Sequence, residues 1–193
     1  MMNKIFLFCL SLLFLTATLS GCVSLVDATT SGPIKTDPGK RSMGDKLDDA
    51  NLRTIVAVNL RKASTELDEA HINVYSFNQI ILLTGEVPTK PSYELAGETA
   101  RSATRVRQVY NELQVQPKSS FLSRTNDNYL QMKIGTKLMS HQDIDSSRVK
   151  VIVEDEVVYL MGIMTQVQAD KVTDVVATTK GVRKVVRAIE YIE

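Results

Sequence analysis

Two stretches set 77 residues apart decide the fold: I-N-V-Y-S-F-N-Q-I-I-L-L-T-G (residues 72–85) and V-K-V-I-V-E-D-E-V-V-Y-L-M-G (residues 149–162). Each is an apolar run, a short polar break, a second apolar run and a glycine. Runs of this length, rich in β-branched and aromatic residues, read as β-hairpins. The pattern predicts strands over His71–Phe77 and Gln79–Thr84, and again over Arg148–Val153 and Val157–Met161. The turns fall at Asn78 and at Glu154-Asp155-Glu156.

The correspondence extends outward from the hairpins. Leu52, Val56 and Leu60 match Leu130, Ile134 and Leu138 at an offset of 78, and Val106, Val109 and Leu113 match Val182, Val185 and Ile189 at 76. Both one-residue drifts sit in loops, so the chain carries one unit twice. An amphipathic helix opens each unit, with Asp49 or Asp127 as its cap and apolar residues four apart. The hairpin follows, then a second helix. In the second copy Thr165 and Gln168 form a capping box, Val172, Val175, Val176 and Thr179 share a face, and Gly181 supplies the left-handed stop. In the first copy Ala96, Thr99, Ala100 and Ala103 share that face, but Arg105 stands where Gly181 would be, which implies a different stop. A last strand, Gln108–Val115 or Val182–Ile192, closes each unit. The order α-β-β-α-β gives an α+β fold: two tandem domains, each a small mixed sheet with two helices packed on one face. The domains span residues 47–116 and 126–193, joined by a linker, 117–125, that carries Pro, Ser, Lys and Thr.

Ahead of the repeat, Lys4 precedes the apolar run Ile5–Ala17, followed by Leu19-Ser20-Gly21-Cys22. This is the pattern of a secretory signal peptide, residues 1–21. Its run of about 13 residues is short of the ~20 that a spanning helix needs. The cleavage site resembles the bacterial lipobox, which implies that Cys22 is diacylglycerylated, cut free and N-acylated. Each buried CH₂ contributes roughly 0.8 kcal/mol, so two or three chains anchor stably. Residues 22–46, rich in Gly, Pro, Ser and Thr, read as a flexible tether. Val23 rather than Asp follows Cys22, which under the usual lipoprotein sorting rule points to the outer membrane.

Composition narrows the function classes. Of 193 residues 44% are hydrophobic, and the formal charge of +1 falls to zero when Lys4 leaves with the leader. A neutral chain is not held on an anionic surface by overall charge, so any such attraction is local. The two cysteines are Cys9, in the leader, and Cys22. That leaves no disulfide framework, thiolate metal cluster or cysteine nucleophile. His71 and His141 occupy non-equivalent positions, and solvated or locally bonded roles suit them better than a metal or catalytic pair. Glu154-Asp155-Glu156 lacks the spaced oxygen ligands of a calcium loop. Arg101, Arg105 and Arg107 read as a solvated helix end, and an extracytoplasmic setting argues against nucleic acid. No nucleophile–base pair and no phosphate-cradling glycine loop is present, so neither an enzyme nor a cofactor is expected.

An α-β-β-α-β unit with a glycine after its second strand, duplicated behind a lipobox, resembles the BON-domain (bacterial OsmY and nodulation) proteins. The stretches Thr36-Asp37-Pro38, Arg41 to Asp49, His71-Ile72-Asn73-Val74, Val109-Tyr110-Asn111-Glu112, Asn126-Asp127 and Tyr159-Leu160-Met161-Gly162 are similar to the dual-BON outer-membrane lipoproteins, in the same order over nearly the whole mature chain. The resemblance implies two BON-type domains on a lipoprotein that faces the periplasm and preserves the outer-membrane barrier. It also implies binding of anionic phospholipid, phosphatidylglycerol-like, through the second domain, and residence at the division site.

Comparison of the copies singles out a surface. On the helix opening the second copy, Leu130, Ile134 and Leu138 mark the core side. The opposite side carries Tyr129, Met132, Thr136 and Met139, edged by Lys133 and Lys137. The first copy has Asn51, Thr54, Val58 and Arg61 there. An aromatic ring and two Met beside Lys suit shallow insertion between lipids. The family's lipid contacts fall on this helix, with Tyr129 standing where its Trp is expected. Gly135 weakens the helix by about 1 kcal/mol relative to Ala. The alternative is that Tyr129 and the methionines pack on the first domain or on a protein partner. The competing function is therefore a periplasmic adaptor for an outer-membrane assembly protein or for peptidoglycan.

Overall fold

The structure, a computed structural model, describes residues 37–117 and 121–193. The leader, Cys22 and the tether up to Thr36 lie outside the described residues. The first copy starts at Ser42, whose hydroxyl accepts from the Asp45 backbone while the Asp45 carboxylate accepts from the Ser42 backbone N–H. Helix α1 therefore spans Met43–Ala63 and takes in residues expected to belong to the tether. After a second cap at Ser64 come α2 (Thr65–Glu69), β1 (His71–Phe77), β2 (Ile80–Val87), α3 (Lys90–Ser102), β3 (Gln108–Asn111) and β4 (Gln114–Val115). The second copy has α4 (Phe121–Met139), a 3₁₀ turn (Ser146–Arg148), β5 (Val149–Glu154), β6 (Val157–Met164), α5 (Gln166–Ala177) and β7 (Lys184–Tyr191). Helix α4 likewise begins inside the expected linker.

The expectation that Asp49 and Asp127 cap their helices does not hold. Each lies about two turns in, is nearly buried, and turns its carboxylate onto the tip of its own hairpin. Asp49 accepts from the backbone of Asn78 (2.8 Å) and Gln79 (2.9 Å), and Asp127 from that of Asp155 (2.7 Å) and Glu156 (2.9 Å). Both tips are two-residue turns with positive φ at both positions (50° and 65°; 49° and 62°), the type I′ pattern. Such turns leave backbone N–H groups without ladder partners, and the buried carboxylate supplies the acceptor. The same aspartate therefore recurs because it joins helix to hairpin in both copies.

In each sheet the middle strand is antiparallel to the first and parallel to the last. A parallel pair needs a crossover, which α3 and α5 provide. The middle strands run three residues further than expected, to Val87 and Met164, because β4 and the end of β7 continue the pairing. Gly85 has φ +109°, and a Cβ there would lie 2.0 Å from the His71 carbonyl oxygen, which accounts for glycine at the end of the motif. The stop after α3 is not a different one, although the absence of glycine implied that it would be. Arg105 adopts φ 78°, the left-handed region that Gly181 occupies at 107°, and its guanidinium pairs with Asp48. The last strand of the first copy is broken at Glu112-Leu113, where Leu113 turns into the core.

Each copy buries one sheet face under its helices. Leu52, Val56 and Leu60 meet Ile81, Leu83, Ala96 and Ala100, and Leu130, Ile134 and Leu138 meet Val158, Leu160, Val172 and Val176. The opposite faces are also apolar and pack on each other: Phe77, Ile80 and Leu82 against Ile152, Tyr159, Met161, Ile163 and Ala188. The result is helices, sheet, sheet, helices, and Pro38–Glu193 forms one compact unit. Polar ties cross the seam. Glu190 accepts from Arg107 (2.9 Å) and Asn78 (2.6 Å), and Glu154 accepts from Asn73 (2.9 Å) and Thr84 (3.2 Å). Residues ahead of α1 span both copies too. Gly39 is buried against the Arg148 guanidinium, Lys40 pairs with Asp145, and Arg41 stacks on Phe77.

Candidate functional site

Helix α4 places Leu130, Ile134 and Leu138 in the core, so the residues between them face out. Tyr129 is 61% exposed, Met132 64% and Met139 69%. Large apolar side chains left this open on one helix face form a patch that water solvates poorly. None of the three belongs to the apolar core of the first copy or to the seam between the sheets. Thr136 is exposed and returns its hydroxyl to the Met132 carbonyl. Lys133 and Lys137 border the patch, but their ammonium groups turn toward the end of α5. Lys133 donates to the Lys180 carbonyl (2.9 Å), and Lys137 to the Val175 carbonyl (2.8 Å) and to the hydroxyls of Thr178 and Thr179. Cations at the negative end of a helix satisfy carbonyls that lack partners in the last turn. A Cβ at Gly135 would meet nothing within 4 Å, so no packing contact requires glycine there.

The first copy is not purely polar on its outer side. Met43, Leu47 and Ile55 are 74%, 63% and 49% exposed along α1. Met43 and Leu47 lie ahead of Asp49, outside the helix that the sequence pattern predicts. The signal that places them is the Ser42–Asp45 capping box.

The remaining candidates disperse. His141 is exposed and its Nδ1 accepts from the Asp143 backbone. His71 Nε2 lies 3.7 Å from Glu154 Oε1, in the seam between the sheets. Glu154 is therefore not part of the turn but a strand residue facing the seam, where burial pushes its pKa up. Arg105 and Arg107 are each committed to a carboxylate, and so they do not form a patch with Arg101. Among the described residues no set of His, Asp and Glu converges as a metal site, and no helix is long and apolar enough to cross a membrane.

A second feature was invisible in the sequence. Where α1 meets β5 the two copies leave a cleft of about 360 Å³, lined by Arg41, Lys46, Asp49, Arg53, Ser76 and Lys150 among others. Burial opposes ionisation of Asp49. Its bonds from Gln79, Ser76, Asn78 and Arg41 together outweigh that and hold its pKa below the ordinary value.

Comparison with known proteins gives the family. The family model for the BON domain matches twice, over residues 48–117 and 126–193. The chain belongs to the BON-domain family. It is 33% identical over 184 residues to the outer membrane lipoprotein DolP of Haemophilus influenzae, covering 94% of each chain. It is 35% identical over 153 residues to a 21 kDa hemolysin of Actinobacillus pleuropneumoniae, covering 79% of each. Among solved structures, the C-terminal domain of CdsD, a type III secretion structural protein of Chlamydia trachomatis, aligns over 74% of this chain and 98% of its own. That alignment has 10% identity and a TM-score of 0.31. Two BON units in tandem, each mixed in sheet topology with helices on one face, are what the repeat in the sequence implied.

Proposed function

We propose that this BON-domain protein is a non-enzymatic lipoprotein, held on the periplasmic face of the outer membrane by acylated Cys22, that lays α4 on anionic phospholipid. The observation that carries the reading is the exposure of Tyr129, Met132 and Met139 on one face of a helix whose opposite face is core. A Tyr ring with two flexible thioethers matches the boundary between headgroups and acyl chains. Lys133, Thr136 and Lys137 flank the patch at headgroup level. The two lysines add less than free ammonium groups would, since each already donates to the end of α5. The relative named an outer membrane lipoprotein supports the compartment. In that setting the protein maintains outer-membrane integrity, with the division site as its place of action.

A second reading has its own support: Met43, Leu47 and Ile55 form another exposed apolar stripe. That suits an adaptor for an outer-membrane assembly protein or peptidoglycan.

Vesicle flotation of the unacylated Cys22→Ala protein separates the two. Removing a Tyr ring from an apolar contact costs roughly 1.5–3 kcal/mol. Tyr129→Ala should therefore weaken binding to phosphatidylglycerol vesicles about tenfold or more, while Asn51→Ala, its counterpart in the first copy, has little effect. If Tyr129→Ala binds normally, α4 is not the lipid contact.

A further inference from the structure

The cleft between the copies collects positive charge on a chain whose formal net charge is only +1. Four cations line it: Arg41, Lys46 and Arg53 ahead of and along α1, and Lys150 on β5. Arg41 is committed, with its guanidinium 2.6 Å from Asp49 and 3.6 Å from the Phe77 ring centroid. Asp49 is the only acidic side chain lining the cleft, and the Arg41 guanidinium is paired with it. Ser76, Asn78, Gln79 and Arg41 all donate to it. Among the described residues, Lys46, Arg53 and Lys150 make no ion pair. Lys150 is half-buried, with its ammonium over the Tyr75 ring at 5.1 Å.

Three cations without an ion-pair partner, drawn from two domains, repel one another, and an anion seated between them relieves that repulsion. We infer that this cleft is a binding site for a phosphate group, held by Arg53 and Lys46 on one wall and Lys150 on the other. A guanidinium fork and two ammonium groups approaching from two sides match an acceptor with several oxygens. Phosphate presents such oxygens in all directions, whereas a carboxylate presents two in one plane. Burial above all, and then the nearby Arg53 and Arg41, push the Lys150 pKa down, against a smaller upward pull from Asp49. A phosphate carried on a lipid headgroup and a free phosphate both satisfy the cationic walls. The site shares no residue with the patch on α4, so it stands or falls separately from the lipid reading given above.

The test uses the mature lipoprotein in a neutral detergent, with inorganic phosphate as the probe and chloride at matched ionic strength as the reference. Calorimetry should give saturable binding, and NMR should place the changes at Lys46, Arg53 and Lys150. Loss of one charge-assisted bond corresponds to about tenfold. Arg53→Gln and Lys150→Gln should each weaken binding by that factor, while Lys90→Gln, an exposed lysine on α3, leaves it unchanged. Both cleft side chains lie at least partly in solvent, and thermal melts verify that the variants fold. Tyr129→Ala should not alter phosphate binding, which keeps this site distinct from α4. Short-chain phosphatidylglycerol then identifies the source. If it displaces phosphate at far lower concentration the natural ligand is lipid-borne, and if it competes no better the ligand is free. Phosphate binding that is unsaturable, or that survives both cleft substitutions, overturns the proposal.

Discussion

Replacing Asp49 by Ala tests whether one carboxylate joins helix to hairpin. In the structure it accepts from the Ser76 hydroxyl at 2.7 Å, from the Asn78 and Gln79 backbone at 2.8 and 2.9 Å, and from Arg41 at 2.6 Å. The substitution strands the first three donors. Each costs about 1–1.5 kcal/mol when its acceptor is lost from a site that water reaches poorly. Arg41 keeps its stacking on Phe77 and has partial access to solvent, so its loss is smaller. The sum is about 3–4 kcal/mol, a large part of the ~5–15 kcal/mol that holds a folded domain. Asp127→Ala strands two backbone donors and should cost about 2–3 kcal/mol. Urea denaturation of the Cys22→Ala protein reads both values from shifts of the midpoint. The pH dependence has a fixed sign. Asp49 titrates below its ordinary 3.8, so its stabilisation is complete above that value and is lost as pH falls below it. The gap between wild type and Asp49→Asn should therefore close in acid. If Asp49→Ala costs less than about 1 kcal/mol, the turn does not depend on it and the reasoning fails.

Glu154 should behave in the opposite way. Burial raises its pKa, so its protonated form favours folding, and stability falls as pH rises from the ordinary 4.5 through the folded value. Glu154→Gln, which keeps the acceptor for Asn73 and Thr84, should raise the melting temperature at pH 7 and show little difference from wild type at pH 4; a loss at pH 7 would contradict this. Cys22→Ala should leave the protein secreted but soluble in the periplasm, and a variant that still pellets with outer membrane in high salt would show that acylation is not the main attachment.

Much of the architecture was legible because the hairpins carry a period of two and the repeat carries it twice. The boundaries that moved did so for local reasons. Asp49 and Asp127 look like caps because Asp before an apolar series usually is one, yet their true partners lie about 30 residues ahead in sequence. The stacking of the sheets leaves a trace in the sequence. Ile80 to Leu83 and Val157 to Met161 are apolar at every position, and an antiparallel sheet with one wet face would alternate. Strands buried on both faces read as continuous apolar runs, so the second cover for each sheet was already implied. What no sequence pattern carried was the cover's identity, since the partner face belongs to the other copy.

The candidate surfaces divide along the same line. Tyr129, Met132 and Met139 were found by helical spacing alone, because exposure on a wheel follows once the core side is known. Lys133 and Lys137 stand at the border of the patch, but helical spacing does not give their direction, because the end of α5 that they reach lies about 40 residues further on. Those bonds fix α4 against α5 and partly offset the cost of Gly135, so the patch is presented on a supported helix. They also mean that an anionic surface must compete there with bonds already made. In the cleft Lys46, Arg53 and Lys150 make no ion pair among the described residues, and the three come together only when both copies have folded and docked. The cations best placed to take a phosphate are thus the ones that only the assembled pair of domains creates.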